Sequence, residues 1–271
     1  MSMSISGKTA IVTGSAHGIG LAIARHFVDK GANVVFADVD EDALEEEVGE
    51  EARAEGAIRK FAGDLCQKLT INNLLSFTID AFERVDILVN ASRVMAVSDP
   101  LGVEDDAVEL LWRENVLTSL RLSQMTARRM IQAAGRAGEG EAGAMIGSII
   151  NLSSIAAHHT RPELLGYSVA SAAVDQMTRS MAVALAPMGI RVNAVAFGSV
   201  MSASLQATLK EHPDYRSIIT DGTPLHRIAA PLELAETVQF LASDAAGFIT
   251  GQILTVDGGR SLIDPVAAPA H

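Results

Sequence analysis

Three glycines with the spacing of a phosphate-binding turn lie near the start of the sequence, in AIVTGSAHGIGLAIA. They are Gly14, Gly18 and Gly20, and they follow a β-branched run and precede a helical pattern. Glycines there let the backbone approach a pyrophosphate, and the start of the next helix supplies free N–H groups and partial positive charge. The turn, with His17 and Ile19 inside it, is predicted to bind a dinucleotide. The spacing G-x3-G-x-G also fits a purely structural turn.

An acidic residue follows at the distance that a dinucleotide-binding fold uses. Asp38 ends the second β-branched run, 18 residues after Gly20. A carboxylate at that point accepts hydrogen bonds from the adenosine ribose and repels a 2′-phosphate, so it favours NAD over NADP. The alternative is that Asp38 only begins the next helix, in DVDEDALEE, where Asp40 is a rival cap.

Short β-branched runs that alternate with amphipathic stretches must position these residues. This alternation indicates βαβ units, and runs that are apolar on both faces indicate a parallel sheet between two layers of helices. The predicted strands are 9–13, 33–38, 57–62, 86–90, 147–152, 191–196 and 253–256, and the predicted helices include 18–29, 41–55, 114–134, 168–186 and 232–243. The sequence therefore predicts an α/β fold, a doubly wound Rossmann domain with about seven parallel strands.

One domain is expected to account for residues 1–271, because no boundary interrupts the pattern. Its core is predicted at about 5–262, followed by a flexible tail at 263–271. The Gly-rich stretch AGRAGEGEAGA at 134–144 is predicted to be a loop between a helix and a strand.

The composition excludes several classes of protein. Acidic residues outnumber basic ones by 33 to 21, for a net charge of −12, which argues against a nucleic-acid-binding surface. Cys66 is the only cysteine, so an internal disulfide or a cysteine-rich metal site is impossible, and no metal is expected. No apolar run approaches the roughly 20 residues of a membrane span, and no signal peptide is apparent. We expect a cytoplasmic protein without a membrane partner.

Further motifs continue the pattern along most of the chain. They are TGSAHGIG (13–20), Asp64-Leu65, DILVN (86–90), Asn115, IINLSS (149–154), Tyr167, IRVNAV (190–195) and FITGQILTVDGG (248–259). In this order, the sequence resembles the short-chain dehydrogenase/reductase family. The resemblance implies an oxidoreductase that interconverts a hydroxyl and a carbonyl group on a small molecule with a nicotinamide cofactor. It also implies a homotetramer.

The resemblance assigns roles to particular residues. In the family a tyrosine exchanges a proton with the substrate oxygen, a serine hydrogen-bonds that oxygen, and an asparagine supports a water relay. A lysine lowers the tyrosine pKa and holds the nicotinamide ribose. The matching residues here are Tyr167, Ser154 and Asn115, and the lysine position is 171. The implied cofactor contacts are Asp64 and Leu65 beside the adenine, and Asn90 and Val200 along the cofactor path.

Three departures from the family pattern fall at the nicotinamide end. Ser171 stands where the lysine is expected, Arg93 stands at a glycine position in NASR, and Phe197 replaces a proline in AFG. A tyrosine side chain titrates near ~10, and an opposite charge moves a pKa by about 1–3 units. The missing lysine therefore costs roughly tenfold to a thousandfold in phenolate at neutral pH. Alcohol oxidation, which uses the phenolate as base, is expected to suffer more than carbonyl reduction.

Another cation is needed if the charge is to be replaced. No lysine lies between Lys68 and Lys210, and Arg93 is the first candidate because the end of the fourth strand lies beside the cofactor in this fold. Arg93 could supply charge without shuttling a proton, since its pKa exceeds ~12. It could instead fill the pocket, or face solvent. The other candidates, in the loop before the tyrosine, are His158, His159 and Arg161.

Two functions remain open at this point. The first is an NAD(H)-dependent oxidoreductase with an atypical proton relay. The second is a catalytically impaired NAD-binding or scaffold relative of the same family. A Rossmann methyltransferase would not explain Ser154 and Tyr167 at their spacing. The substrate, an alcohol or carbonyl compound, depends on the segments 93–101 and 199–225 and is not identified by the sequence.

Overall fold

Seven parallel strands form one sheet in the computed structural model, which describes residues 2–53, 56–103, 107–137, 145–264 and 266. The strands are β1 (Thr9–Thr13), β2 (Asn33–Asp38), β3 (Ile58–Ala62), β4 (Ile87–Asn90), β5 (Gly147–Ser154), β6 (Ile190–Phe197) and β7 (Ile253–Val256). Their order in the sheet is β3-β2-β1-β4-β5-β6-β7, and every pairing is parallel. The predicted doubly wound α/β fold is confirmed.

Helices cover both faces of the sheet. They are α1 (Gly18–Asp29), α2 (Glu41–Arg53), α3 (Lys68–Phe82), α4 (Ala107–Leu111), α5 (Thr118–Ala137), α6 (Leu165–Leu185), α7 (Ala203–Glu211), α8 (Tyr215–Asp221) and α9 (Pro231–Ala242). Successive strand residues point to opposite faces, so Val12 packs with Phe27 of α1 in one core, and Ile11 packs with Leu75 of α3 in the other. Among the described helices, none is both long and apolar enough to cross a membrane.

The helix predicted at 114–134 differs from the observed one at both ends. A π-helical turn, Trp112–Leu117, precedes α5, and α5 continues to Ala137. The predicted loop at 134–144 is therefore wrong for residues 134–137, because alanine and arginine favour a helix and one glycine costs only about 1 kcal/mol. The remainder of that loop at 138–144, positions 54–55 of a predicted helix, and 265 and 267–271 of the predicted tail lie outside the described residues.

The glycine turn after β1 packs too tightly for side chains. Gly14 has a φ of +64°, and a Cβ on it would lie 2.7 Å from the Cα of Ser92, in the segment after β4. A Cβ on Gly20 would overlap the carbonyl oxygen of Gly14. Because β1 and β4 are neighbours at the point where the strand order reverses, these glycines form the floor of the crevice in which doubly wound folds bind ligands.

Asp175 of α6 is a buried carboxylate without a good partner. It is 1 % exposed, and neither of its oxygens accepts a hydrogen bond from a residue that the structure describes. Nε2 of His158 lies 3.5 Å from its Oδ2. Burial raises the pKa of Asp175, and the nearby Ser153 hydroxyl and the basic side chains of His158, Arg179 and Arg93 offset that rise only in part.

Gly20→Ala is expected to lower the free energy of unfolding by about 3 kcal/mol, because the added methyl group would overlap backbone that cannot move away. Urea unfolding measures the change. The matched control is Gly135→Ala on the exposed side of α5, where a Cβ meets nothing within 4 Å. That change is expected to raise stability by about 0.5–1 kcal/mol, since alanine is the better helix former. Equal effects of the two substitutions would contradict this account of the turn.

Asp175→Asn is expected to stabilise the protein at neutral pH by an amount on the order of 1 kcal/mol, because it removes a charge that burial disfavours. The pKa of the carboxyl is raised in the folded state, so the protonated form is favoured there. The contribution of Asp175 to stability should therefore fall as the pH rises from its unfolded-state pKa through its raised folded-state pKa, whereas Asn at this position contributes no such change.

Thermal unfolding of both proteins from acidic to neutral pH checks this, and the advantage of Asn should grow with pH. His158→Gln in each background separates the contribution of the imidazole. An advantage that shrinks as the pH rises would mean that the Asp175 carboxylate is well stabilised by its neighbours.

Candidate active site

A cavity of about 1040 Å³ opens at the carboxyl ends of the central strands. The predicted site residues that line it are Gly14, His17, Gly18, Ile19, Gly20, Asp38, Arg93, Ser154, Tyr167 and Val200. The structure thus brings together the glycine turn, the acid after β2 and the Ser–Tyr pair, which come from separate parts of the sequence. Its position matches that of the ligand crevice in doubly wound folds.

The start of α1 leaves backbone donors at one end of the cavity. His17 precedes the helix in an extended conformation, and its side chain does not cap the helix. The first N–H groups of a helix have no partner within the helix itself, so an anion can bind there. Gly18, Ile19 and Gly20 of this first turn line the cavity. The turn fits the phosphates of a dinucleotide.

Asp38 and Asp40 have different roles at this end. Asp38 borders the cavity, and its carboxylate accepts the N–H of Ala16 at 2.9 Å and that of the following residue at 2.7 Å. Asp40 caps α2 by accepting the N–H of Ala43 at 3.0 Å, and that bond together with the His17 ring lowers the pKa of Asp40. The helix cap is therefore Asp40, and Asp38 remains available to a ligand while it fixes the glycine turn.

Three residues implied on the cofactor path do not border the cavity. Asp64 accepts the N–H of Cys66 at 2.8 Å, which lowers the pKa of its carboxyl. Leu65 is packed in the core beside α3. Asn90, the last residue of β4, is buried and donates to the Oδ1 of Asn151 in the middle of β5 at 2.7 Å. Their roles toward a cofactor stay predictions.

Ser154 and Tyr167 both border the reactive end of the cavity. Ser154 ends β5, and its Oγ accepts the N–H of Ala156 at 3.2 Å, which caps the 3₁₀ turn Ile155–Ala157. Tyr167 lies in the first turn of α6 and is 8 % exposed, packed against Leu111 and its neighbours. A substrate oxygen at this end can therefore meet a hydroxyl and a phenol.

Arg93 binds directly to the phenol. Its Nη2 donates to the phenol oxygen of Tyr167, and its Nη1 donates to the carbonyl oxygen of Ser153 at 2.6 Å. The solvent-facing alternative for Arg93 is therefore excluded.

Among the other candidate cations, His159 and Arg161 line the cavity, whereas His158 faces Asp175 instead.

Two of the three departures from the family pattern are in contact. The guanidinium carbon of Arg93 lies 5.0 Å from the ring centre of Tyr167 and 5.1 Å from that of Phe197. Both distances are within the range of a cation–π interaction. Phe197 thus packs against the guanidinium of Arg93.

The third departure leaves space on the far side of Arg93. Ser171 is 3 % exposed, and a cavity of about 10 Å³ lies between it and the arginine. That volume suffices for about one water molecule. Asn115 also borders this small cavity and is not part of the lining of the main one. A lysine at 171 would need more room than this cavity offers beside Arg93.

The segment that carries Arg93 is held from two sides. The N–H groups of Ala91 and Ser92 both donate to the Oγ1 of Thr13 at 3.0 Å. Asn115, in the π-helical turn, accepts the N–H of Val94 at 2.9 Å and donates to its carbonyl oxygen at 2.8 Å. Both ends of the Asn115 amide are thus used to position the backbone next to Arg93. π-Turns of this kind are frequent at functional sites.

Sequence reasoning missed one cation of the cavity. Arg260 lines it, and Nη1 of Arg260 donates to the Oγ of Ser199 at 3.1 Å. An arginine directly after the TVDGG motif was the available signal, but no pattern gives the direction of a side chain in a loop. Within the described part of the chain, no group of His, Cys, Asp and Glu residues is arranged to hold a metal ion.

Known proteins resemble this chain along nearly its whole length. The family model described as enoyl-(acyl carrier protein) reductase matches residues 14–261. The 7alpha-hydroxysteroid dehydrogenase of Escherichia coli K12 is 32% identical over 258 residues, which is 94% of each chain. The cis-4-hydroxycyclohexanecarboxylate dehydrogenase of Sinomonas cyclohexanicum is 36% identical over 263 residues, 94% of this chain and 97% of its own.

Solved structures extend the similarity to three dimensions. A 7 alpha-hydroxysteroid dehydrogenase complexed with NADH and 7-oxo glycochenodeoxycholic acid is 31% identical with a TM-score of 0.84, covering 95% of each chain. A gluconate 5-dehydrogenase from Burkholderia cenocepacia J2315 in complex with NADP and tartrate is 28% identical with a TM-score of 0.85, covering 97% of this chain and 98% of that one. With its sheet order, its glycine turn and its Ser–Tyr pair, the chain belongs to the short-chain dehydrogenase/reductase family.

Proposed function

We propose that the protein is an NAD(H)-dependent oxidoreductase in which Arg93 replaces the missing lysine as the cation beside Tyr167. The proposed reaction interconverts a hydroxyl and a carbonyl group. Two relatives are named as dehydrogenases of hydroxyl compounds, which supports this reaction. The observation that carries the proposal is the hydrogen bond from Nη2 of Arg93 to the phenol oxygen.

A guanidinium at the phenol oxygen favours the phenolate over the phenol. Opposite charges in contact stabilise the ionised form, and a charged donor makes the stronger hydrogen bond. Arg93 keeps its charge at every working pH, so it can stabilise the phenolate but cannot pass on a proton. Its second bond, to the Ser153 carbonyl, orients the guanidinium toward Tyr167.

The proton steps then follow from the positions of two side chains. In alcohol oxidation the Tyr167 phenolate takes the hydroxyl proton while Ser154 hydrogen-bonds the same oxygen. In carbonyl reduction the phenol returns that proton. The nicotinamide, when bound, accepts or donates the hydride. Because Arg93 favours the phenolate, its charge assists oxidation more than reduction.

NAD is the proposed cofactor because of the acid at the adenosine end of the cavity. The start of α1 offers donors for the phosphates, and Asp38 borders the cavity two residues before the α2 cap Asp40. A carboxylate there accepts bonds from ribose hydroxyls and repels the 2′-phosphate of NADP. Asp64, Leu65, Asn90 and Val200 are proposed to complete the cofactor path.

A catalytically impaired relative is the second candidate, and one observation favours it. The same Arg93 bond occupies the phenol oxygen that the substrate must approach, at a position where the family has a glycine. Activity measured after removal of the Arg93 side chain distinguishes the two candidate functions. An impairing arginine would release activity when it is removed, whereas a replacement cation would not.

For the substrate we propose a secondary alcohol of an alicyclic ring, or its ketone. Two relatives are named for a hydroxysteroid and for a hydroxycyclohexanecarboxylate. The apolar side chains Met95, Leu164 and Leu205 line the cavity and suit a hydrocarbon ring.

We further propose a homotetramer that works in the cytoplasm. The family resemblance supports this, together with apolar side chains exposed on and before β7, where Leu254 is 39 % and Phe248 104 % exposed. Exposed apolar groups on an edge strand suit burial against another copy of the chain.

Arg93→Met is expected to lower kcat/KM for alcohol oxidation by roughly tenfold to a thousandfold at neutral pH, because it removes the charge that stabilises the phenolate. The loss in carbonyl reduction should be smaller. Steady-state rates with NAD and NADH measure both directions, and Arg128→Met, at an exposed position of α5, is the matched control.

The double variant Arg93→Gly with Ser171→Lys rebuilds the family arrangement and should recover activity. Ser171→Lys alone should not, because Arg93 leaves little room beside residue 171. Higher activity of Arg93→Gly alone would show that Arg93 obstructs the site and would sink its role as a replacement cation.

The natural protein is expected to bind NADH at least roughly tenfold more tightly than NADPH, since a carboxylate at the position of Asp38 repels a 2′-phosphate. Asp38→Asn should weaken NADH binding and narrow the gap between the two cofactors. Asp40→Asn removes the same charge two residues away, outside the cavity lining, and should leave the preference unchanged. Fluorescence titration with each cofactor measures this. Equal or tighter binding of NADPH by the natural protein would refute the proposed cofactor.

A further inference from the structure

The reactive half of the main cavity is rich in positive charge. Arg93, His159, Arg161 and Arg260 line it, and among the described lining residues the one carboxylate is Asp38, at the adenosine end. The chain as a whole has 33 acidic and 21 basic residues. A part of the surface with this composition would carry more negative than positive charge, so the lining of the cavity differs from the rest of the chain. A local positive field in a cleft attracts anions even when the net charge of the protein is negative.

Arg260 is the cation best placed to bind a ligand. It begins the 3₁₀ turn Arg260–Leu262, and its Nη1 donates to the neutral Oγ of Ser199 at 3.1 Å. No carboxylate of the described residues forms an ion pair with it. The hydroxyl therefore fixes the direction of the guanidinium without neutralising it. An arginine held in this way keeps donors for the two oxygens of a carboxylate.

The loop before α6 contributes a second, weaker source of charge. Arg161 forms a 3.4 Å ion pair with Glu163, and both side chains are about half exposed, so water screens that pair. His159 lies in the field of Asp257, whose carboxylate accepts the N–H groups of Gly259 and Ser261 at 2.9 and 2.7 Å. The attraction for an anion is therefore assigned to the arginines, which are charged at neutral pH.

The phosphates of the cofactor do not account for these cations. The proposed phosphate site is at the start of α1, where Gly18 and Ile19 supply backbone donors. Arg161 lies in the loop after β5, the strand that ends at Ser154, and Arg260 lies in the turn after β7. In the sheet, β5 and β7 lie on the other side of β4 from β1, the strand that precedes the glycine turn. The positive charge thus lies beside the substrate end of the cavity.

We propose that the substrate carries a carboxylate, remote from the reacting carbon, that binds Arg260 with added attraction from Arg161. This rests on the proposed function in one respect, since it names the substrate class of the same site. The arginine fixes the distal end of the substrate, Ser199 positions the arginine, and the hydroxyl or carbonyl group then lies toward Ser154 and Tyr167. Arg260 is in this account a specificity-determining residue.

The test compares cyclohexanecarboxylate with the isosteric cyclohexanecarboxamide by isothermal titration of the protein, with and without NADH. The carboxylate should bind roughly tenfold to a hundredfold more tightly, as expected for a hydrogen bond to a charged group. Arg260→Gln, which can still contact Ser199, should abolish that preference and leave the affinity for NADH and the melting temperature unchanged. Arg128→Gln, on the exposed side of α5, should change nothing.

Failure of this inference is distinct from failure of the proposed function. Absent or equal binding of the two compounds, or a preference that survives Arg260→Gln, would overturn the carboxylate site whether or not NADH binds. A loss of NADH affinity in Arg260→Gln would also overturn it, because the arginine would then serve the cofactor. Absence of NADH binding to the natural protein would instead refute the oxidoreductase proposal.

Discussion

The bond between the Arg93 guanidinium and the Tyr167 phenol is the interaction on which the reactive end of the structure depends. A partly buried cation is costly unless its charge and its donors are satisfied. Here one donor meets the phenol oxygen and another meets the carbonyl of Ser153, while the rings of Tyr167 and Phe197 face the guanidinium. The three residues that the sequence predicts to depart from the family pattern are therefore neighbours: Phe197 packs against the Arg93 guanidinium, and the small side chain of Ser171 borders a cavity beside it.

Hydrogen bonds from two sides fix the backbone that carries Arg93. Thr13 binds the N–H groups of Ala91 and Ser92, and Asn115 binds both polar groups of Val94. Gly14 lets this segment approach β1 closely, because any side chain there would meet Ser92. The same glycine turn lines one end of the main cavity. The packed junction between the ends of β1 and β4 thus positions both the glycine turn and the backbone that carries Arg93.

Much of this arrangement was predictable from the sequence, and the exceptions have physical reasons. The parallel sheet and the glycine turn follow from periodicity and from residue types with few alternatives, and β1, β2 and β7 have the bounds predicted for them. Ser154 and Tyr167 were predicted to act together because the family resemblance assigns both to one site, and both border the main cavity. The direction of Arg93 was not predictable, because a long side chain in a loop is oriented by tertiary contacts. The π-turn around Asn115 was missed because local propensity does not report the packing that decides it. The end of α5 was missed for a different reason, since the glycines suggested a loop although alanine and arginine favour a helix at 134–137. Asp40 rather than Asp38 as the helix cap was likewise settled only by geometry.

The most direct measurement compares two substitutions of Arg93 that differ in charge. Lysine and methionine have unbranched side chains, and only lysine can place a positive charge beside the oxygen of Tyr167 that Arg93 contacts. Arg93→Lys should retain a kcat/KM for alcohol oxidation roughly tenfold or more above that of Arg93→Met, because an opposite charge stabilises the developing phenolate. Equal rates in the two variants, or a faster methionine variant, would contradict the account of Arg93 as the replacement cation.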